Sequence, residues 1–262
     1  MMKNKIKIAL CQMDIDPDFN KNVSNAIDMI NKAAQKGAKI VMLPEIFISP
    51  YDVRRFKKIV INDKDHLIKT FSELSLKKKM MIVAGSVVER SGRNLYNTSF
   101  IFEKGRLIGK YRKTHLFDVD IKGKITFQES SVFKPGNIAK TFNTSFGKIG
   151  VVICFDLRFP EMVRSLAKQG AKMIFAPAAF SHITGPLHWE LIVRARAMDS
   201  QSFVFACSPA LNKKYSYQAW GHSAIVDPYG VVVNMLGFKS GILCEEINLN
   251  LVEKVRKEIP IL

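Results

Sequence analysis

The chain has 262 residues, of which 47% are hydrophobic and 18 are Phe, enough apolar surface for one large core in the size range of single α/β domains. Forty Lys and Arg against 23 Asp and Glu leave a net charge of +17, but the cations are scattered, with no basic tail, RNP-like aromatic strand or zinc-finger spacing, so no specific nucleic-acid partner is expected. No apolar run approaches the ~18 residues of a membrane span, no leader-like stretch follows the first lysines, and Cys11, Cys154, Cys207 and Cys244 form no C-x-x-C pair, which suits a reduced, cytoplasmic set of thiols.

Ile6 to Cys11 opens the chain as an apolar strand. Residues 20 to 36 then place Val23, Ala26, Ile27, Ile30, Ala33 and Ala34 at helical spacing, with Asn20 as the cap and Gly37 in the stop position. The next strand, Ile40 to Leu43, ends at Pro44 and delivers Glu45 at its carboxyl end, where open α/β sheets bind ligands. A lone glutamate after a strand is more often solvated. Set between Pro44 and the apolar Ile46 and Phe47, Glu45 is instead expected to be partly buried, with a pKa raised toward that of a general base. Met80 to Val88 predicts a further strand, and Glu103-Lys104-Gly105 predicts the turn of a hairpin. Lys110, Arg112 and Lys113 crowd the hairpin's end; each taken alone is most simply a solvated cation.

The second half begins with a strand, Ile149 to Ile153, that runs into Cys154 and then breaks. Pro160 and Glu161 suit the first turn of a helix, where a missing N–H costs nothing and a carboxylate meets the positive end of the dipole. A thiol on such a turn is presented outward beside free backbone N–H groups able to hold an oxyanion. Gly170-Ala-Lys-Met-Ile-Phe-Ala-Pro177 then repeats Gly37-Ala-Lys-Ile-Val-Met-Leu-Pro44, and each copy is preceded by a helix and by a strand ending in cysteine. Two such halves can pack two sheets face to face with helices outside, a four-layer α-β-β-α sandwich with internal pseudo-symmetry; the pattern alone also allows one doubly wound sheet. Cys11 occupies the position equivalent to Cys154 but lacks the Pro-Glu helix start, and Cys207 and Cys244 lie in apolar runs, so all three are expected to be packed rather than reactive. A helix is predicted from about His188 to Ser200, with Arg194 and Arg196 in structural ion pairs to Glu190 and Asp199, and Asp227 to Gly230 predicts a turn.

Glu45, Lys113 and Cys154 each end a strand, and together they supply a proton acceptor, a positive charge and a nucleophile, the three parts of an acyl-transfer site. A Cys154–His115 pair of the thiol-protease kind is the competing arrangement, but no Asn or Asp partner is fixed by the pattern. The five histidines show no H-E-x-x-H spacing, so neither a metal nor another cofactor is expected.

LPE-I-F, YRKTHLF and ICFDLRFPE resemble the three catalytic motifs of the nitrilase superfamily of carbon–nitrogen hydrolases, and the resemblance runs from about residue 5 to the end of the chain. It implies a single domain over residues 1–262 with the sandwich fold, Glu45 as general base, Lys113 as oxyanion stabiliser, Cys154 as nucleophile and the backbone N–H of Phe155 as a second oxyanion donor. KITFQES resembles a fourth element of the family, whose glutamate falls on Glu129 and orients the lysine and substrate. Arg158 is the candidate for a substrate carboxylate, with a bond to Asp156 or Glu161 as the structural alternative, and Phe180, Ser181, His182 and Thr184 are expected to line the pocket. The run FSHITGPLHWELIVRARAMDSQSFVFACSPA resembles the omega-amidase branch, which implies a small amide substrate such as α-ketoglutaramate and a homodimer or higher homo-oligomer. Its TGPLHWE and RARA are shared with relatives acting on deaminated glutathione, so that activity, N-carbamoyl amine hydrolysis and nitrile hydrolysis are the alternatives. A basic nucleic-acid-binding or scaffold protein is the alternative of a different class. Relatives usually continue beyond Leu262 with a tail that contributes to subunit contacts, so oligomer geometry is not carried over.

Overall fold

Helix formation begins where a side chain can satisfy the first free N–H groups. In the computed structural model, which describes residues 5–62 and 65–262, the Asp18 carboxylate accepts from the N–H groups of Asn20 and Lys21, so the first helix starts one residue before the expected cap. Residues 1–4, part of the stretch searched for a leader, lie outside the described residues. In chain order the first half is β1 (Lys5–Gln12), α1 (Phe19–Gln35), β2 (Ile40–Met42), α2 (Val53–Phe56), β3 (Val60–Ile61), α3 (His66–Lys77), β4 (Met81–Ser91), β5 (Asn94–Glu103) and β6 (Arg106–Arg112). A small hairpin, β7 (Asp118–Ile121) and β8 (Ile125–Gln128), leads to the second half. That half contains β9 (Thr141–Thr144), β10 (Gly147–Val151), a 3-10 turn (Cys154–Arg158), α4 (Pro160–Lys168), β11 (Met173–Pro177), α5 (Gly185–Ser200), β12 (Phe203–Cys207), β13 (Ala224–Val226), β14 (Val232–Met235), β15 (Gly241–Asn248) and α6 (Asn250–Glu258).

The repeated sequence becomes repeated topology. In one sheet β1, β2 and β4 run parallel, and in the other β10, β11 and β12 do the same. The first sheet has the order β15-β1-β2-β4-β5-β6, with β3 beside β4, and the second has the order β14-β13-β12-β11-β10-β9. The parallel strands are apolar on both faces, as strands covered on both sides must be. Along β1, Ile8 and Leu10 face the core shared with the second sheet, while Ala9 and Cys11 face the core beneath α1 and α3. Four layers result, helix, sheet, sheet and helix, and the doubly wound alternative is set aside.

The hairpin between β5 and β6 forms as expected, with Lys104 and Gly105 both at positive φ, the twist that suits a two-residue turn. The strand of Met80 to Val88 extends to Ser91, and α5 begins three residues before His188.

Candidate active site

Glu45 lies in the loop after β2, Lys113 just past β6, Glu129 at the start of a 3-10 turn (Glu129–Ser131) after β8, and Cys154 at the start of the turn after β10. Backbone strain marks two of these places. Ile46, next to Glu45, and Cys154 itself have φ of 45° and 48°, unusual for residues that carry a Cβ and most frequent at functional sites. The four side chains meet out of reach of bulk water: Glu45 is 1% exposed, Lys113 and Glu129 are 0%, and Cys154 is 5%. The thiol therefore opens into an enclosed site rather than outward.

Lys113 Nζ lies 2.8 Å from Glu45 Oε1 and 2.8 Å from Glu129 Oε2. Two neutral donors brace the same carboxylates: Asn97 Nδ2 donates to Glu45 at 2.8 Å and Glu129 at 2.9 Å, and the Tyr51 hydroxyl lies 3.1 Å from each. The other oxygens are also held, since Ala179 N–H donates to Glu45 Oε2 at 2.8 Å and Phe117 N–H to Glu129 Oε2 at 2.7 Å. The Glu45 carboxylate and the Cys154 thiol are close enough for each to act on the other's ionisation.

One ammonium between two buried carboxylates leaves a surplus negative charge that no water can screen. Glu45 carries the consequence: burial raises its pKa most, Lys113 pulls it down, Glu129 pushes it up, and the balance is a rise. For Lys113, burial opposes the charge, but Glu129 and Glu45 outweigh it and hold the ammonium above its ordinary value. Burial and then the Glu45 carboxylate push the Cys154 thiol well above its ordinary value, against the pull of Lys113. The arrangement suits proton transfer from thiol to carboxylate during attack rather than a standing thiolate.

Beside the thiol, Phe117, Phe155, Arg158, Phe180, Ser181, Thr184 and Tyr217 line a narrow cleft. Among the described lining residues Arg158 is the only cation, and burial lowers its pKa. Its guanidinium lies 5.0 Å from the Phe180 ring centre and 5.7 Å from that of Phe155, and it reaches His188 Nδ1 at 3.3 Å. His182 does not line this cleft; its ring nitrogen faces the Gln218 carbonyl at 3.3 Å. His115 does not pair with the thiol either, because its Nδ1 lies 2.9 Å from Asp156 and its ring stacks on Phe159. Of the three hairpin cations, Lys110 and Arg112 turn to Glu89 and Lys113 enters the site. Arg194 and Arg196 pair with Glu190 and Asp199 as expected. Cys11 and Cys207 are buried and Cys244 is half-buried.

Sequence reasoning passed over Tyr51, Asn97, Ala179 and Tyr217. Asn97 carried a weak signal, a residue of low strand preference in the buried β5 beside the equally polar Thr98 and Ser99. Tyr51, six residues beyond Glu45, carried none. No group of His, Cys, Asp and Glu among the described residues is arranged to hold a metal ion.

Two pseudo-symmetric sheets in a four-layer sandwich, with this cluster at the strand ends, agree with the Carbon-nitrogen hydrolase model, which matches residues 7–257. The chain belongs to the carbon–nitrogen hydrolase family, within the nitrilase superfamily, and is a hydrolase of non-peptide carbon–nitrogen bonds. It is 41% identical to omega-amidase NIT2 of Mus musculus, covering 98% of this chain and 93% of that one. It is 42% identical to omega-amidase NIT3 of Saccharomyces cerevisiae, covering 100% of this chain and 93% of the relative. The solved structure of Saccharomyces cerevisiae Nit3, a member of branch 10 of the nitrilase superfamily, superposes with a TM-score of 0.89 at 38% identity, covering 98% of this chain and 95% of that one.

Proposed function

We propose that this chain is a thiol-dependent amidase of the omega-amidase type, releasing ammonia from a small carboxylate-bearing amide such as α-ketoglutaramate through a thioester on Cys154. The observation that carries it is the buried cluster at the strand ends, in which the Glu45 carboxylate meets the Lys113 ammonium at 2.8 Å and acts on the Cys154 thiol, beside a cleft with a single described cation. Similarity to relatives named omega-amidase supports the substrate class.

Glu45 takes the thiol proton as sulfur attacks the amide carbonyl, which relieves part of the surplus negative charge on the carboxylates. The oxyanion that forms is held by the Lys113 ammonium and the Phe155 N–H; a single such donor contributes about 3 kcal/mol. Glu45 returns the proton to the leaving nitrogen, ammonia departs, and the same carboxylate activates the water that releases the acid. Glu129 holds Lys113 through its Oε2 while sharing the Asn97 and Tyr51 donors with Glu45. Arg158 receives the substrate's far carboxylate, bounded by Phe180, Ser181 and Thr184. A donor fork of this kind selects a carboxylate over a neutral end group.

The return of β15 to pair with β1 supports one domain over residues 1–262. Leu187, Leu191 and Met198, exposed along α5, support a homodimer or higher homo-oligomer. Four free cysteines support a reducing, cytoplasmic setting, and no helix among the described residues is long and apolar enough to cross a membrane. The net charge of +17 suits attraction of small carboxylates better than a specific nucleic-acid partner.

Ammonia release from α-ketoglutaramate, succinamate, a simple nitrile and an N-carbamoyl amine, with cysteinylglycine release from deaminated glutathione, tests the substrate. Fast release from the keto-amide, lost after complete thiol alkylation, is the expected result. Preference for another member of the panel refutes the omega-amidase assignment, and turnover that survives alkylation refutes the thiol mechanism.

A further inference from the structure

Asp156 is fully buried, two residues past Cys154, and the mechanism proposed above leaves it without a task. Four donors converge on its two oxygens. Oδ2 accepts from the Ile153 N–H at 2.9 Å and the Tyr111 hydroxyl at 2.8 Å. Oδ1 accepts from the His115 N–H at 2.9 Å and faces His115 Nδ1 at 2.9 Å.

The pattern of these partners matters more than their number. Tyr111 and His115 bracket Lys113 in the chain, and Ile153 and Asp156 bracket Cys154 and Phe155. One carboxylate therefore grips both sides of the lysine segment and both sides of the nucleophile turn. The two segments belong to different sheets, β6 ending in one and β10 in the other, so no strand pairing sets their spacing. Burial, and then Asp156 itself, push the Tyr111 phenol above its ordinary range and keep it a donor. Phe159 stacks on the His115 ring at 3.5 Å and fixes its orientation.

We propose that Asp156 is a positioning residue that sets the distance between the Lys113 ammonium and the Cys154–Phe155 turn, so that both oxyanion donors meet at one point. This rests on the roles proposed for Lys113 and Cys154. An asparagine in its place keeps the volume but turns one acceptor into a donor facing donors, which releases one segment from the other. Loss of alignment falls on the transition state, where a misplaced donor costs rate rather than affinity.

The test is a mutant cycle of Asp156→Asn with Lys113→Met. The readouts are kcat and KM for α-ketoglutaramate, the burst rate of Cys154 acylation by p-nitrophenyl acetate, and the thermal midpoint of each variant. Asp156→Asn is expected to fold cooperatively, to keep KM within about threefold and to lose about 10- to 100-fold in kcat and in burst rate, as for a displaced oxyanion donor. In the Lys113→Met background the same change should cost less than about threefold, because no lysine remains to be placed. Equal losses in both backgrounds, or a kcat within about twofold of the parent, overturn the proposal. A Lys113→Met burst rate equal to wild type overturns the reading of the site itself, and the clamp with it. Should Asp156→Asn fail to fold, Tyr111→Phe, which removes one of the four donors, takes its place in the same cycle. A several-fold loss that vanishes beside Lys113→Met supports the clamp, and no loss, or the same loss in both backgrounds, overturns it.

Discussion

At Glu45 the raised pKa decides where the acid limb of the rate profile falls. The carboxylate must be unprotonated to accept the thiol proton, so kcat/KM drops as pH falls through the Glu45 pKa, which burial moves above the usual 4.5. Rate measurements against pH should place that limb above the ordinary carboxylate range, and Glu45→Gln should remove it together with about 10²-fold or more of kcat. Arg158 makes a separable contribution. Arg158→Met should raise KM for a carboxylate-bearing amide by about 10- to 100-fold, the cost of an unpaired buried carboxylate, and leave a neutral amide nearly unchanged in steady-state rates. The residues that determine these outcomes differ in how legible they were. Glu45 and Cys154 announce themselves because each follows an apolar strand, Lys113 stands out only in company with them, and Glu129 follows from family likeness. Asn97 reaches Glu45 and Glu129 from a distant strand, no pattern near Tyr51 aims its hydroxyl at Glu45, and His182 turns to Gln218 because proximity in sequence to Phe180 does not fix the direction of a side chain.

Among the elements, β4 bends where the site needs room. Gly85 has φ of 31°, and a Cβ there would lie 2.0 Å from the Pro44 carbonyl oxygen, beside the peptide that carries Glu45. Gly85→Ala should cost about 2–4 kcal/mol in urea denaturation, from left-handed strain plus overpacking. It should also lower kcat, because relief of the clash shifts the Glu45 loop. Strand and helix cores were legible from periodicity. Boundaries were not, because caps depend on single contacts: Asp18 rather than Asn20 starts α1, and α5 begins at Gly185, against the Trp220 ring where a Cβ would clash. The turn after β10 reads as a strand-to-helix break in sequence but contains a full 3-10 segment before Pro160.

For the molecule as a whole, the repeated Gly-to-Pro segment revealed two equivalent halves. It could not distinguish two packed sheets from one, because strands buried on both faces have the same composition in either architecture. The pairing of β15 with β1 joins the chain's last strand to its first and spans too much sequence for any local pattern to report. The net charge of +17 acts at this scale as well. With α-ketoglutaramate, KM should rise several-fold between about 20 mM and 500 mM salt as screening shortens the reach of the field, while KM for a neutral amide stays nearly constant in initial-rate assays. The central claim is a covalent acyl group on one particular sulfur. Rapid acid quench during turnover of α-ketoglutaramate, followed by intact-mass and peptide mass spectrometry, tests it most directly. The account predicts a hydroxylamine-sensitive acyl adduct on the peptide containing Cys154, absent from a folded and inactive Cys154→Ala variant. Turnover by Cys154→Ala, or an adduct on Cys11, Cys207 or Cys244 instead, would contradict it.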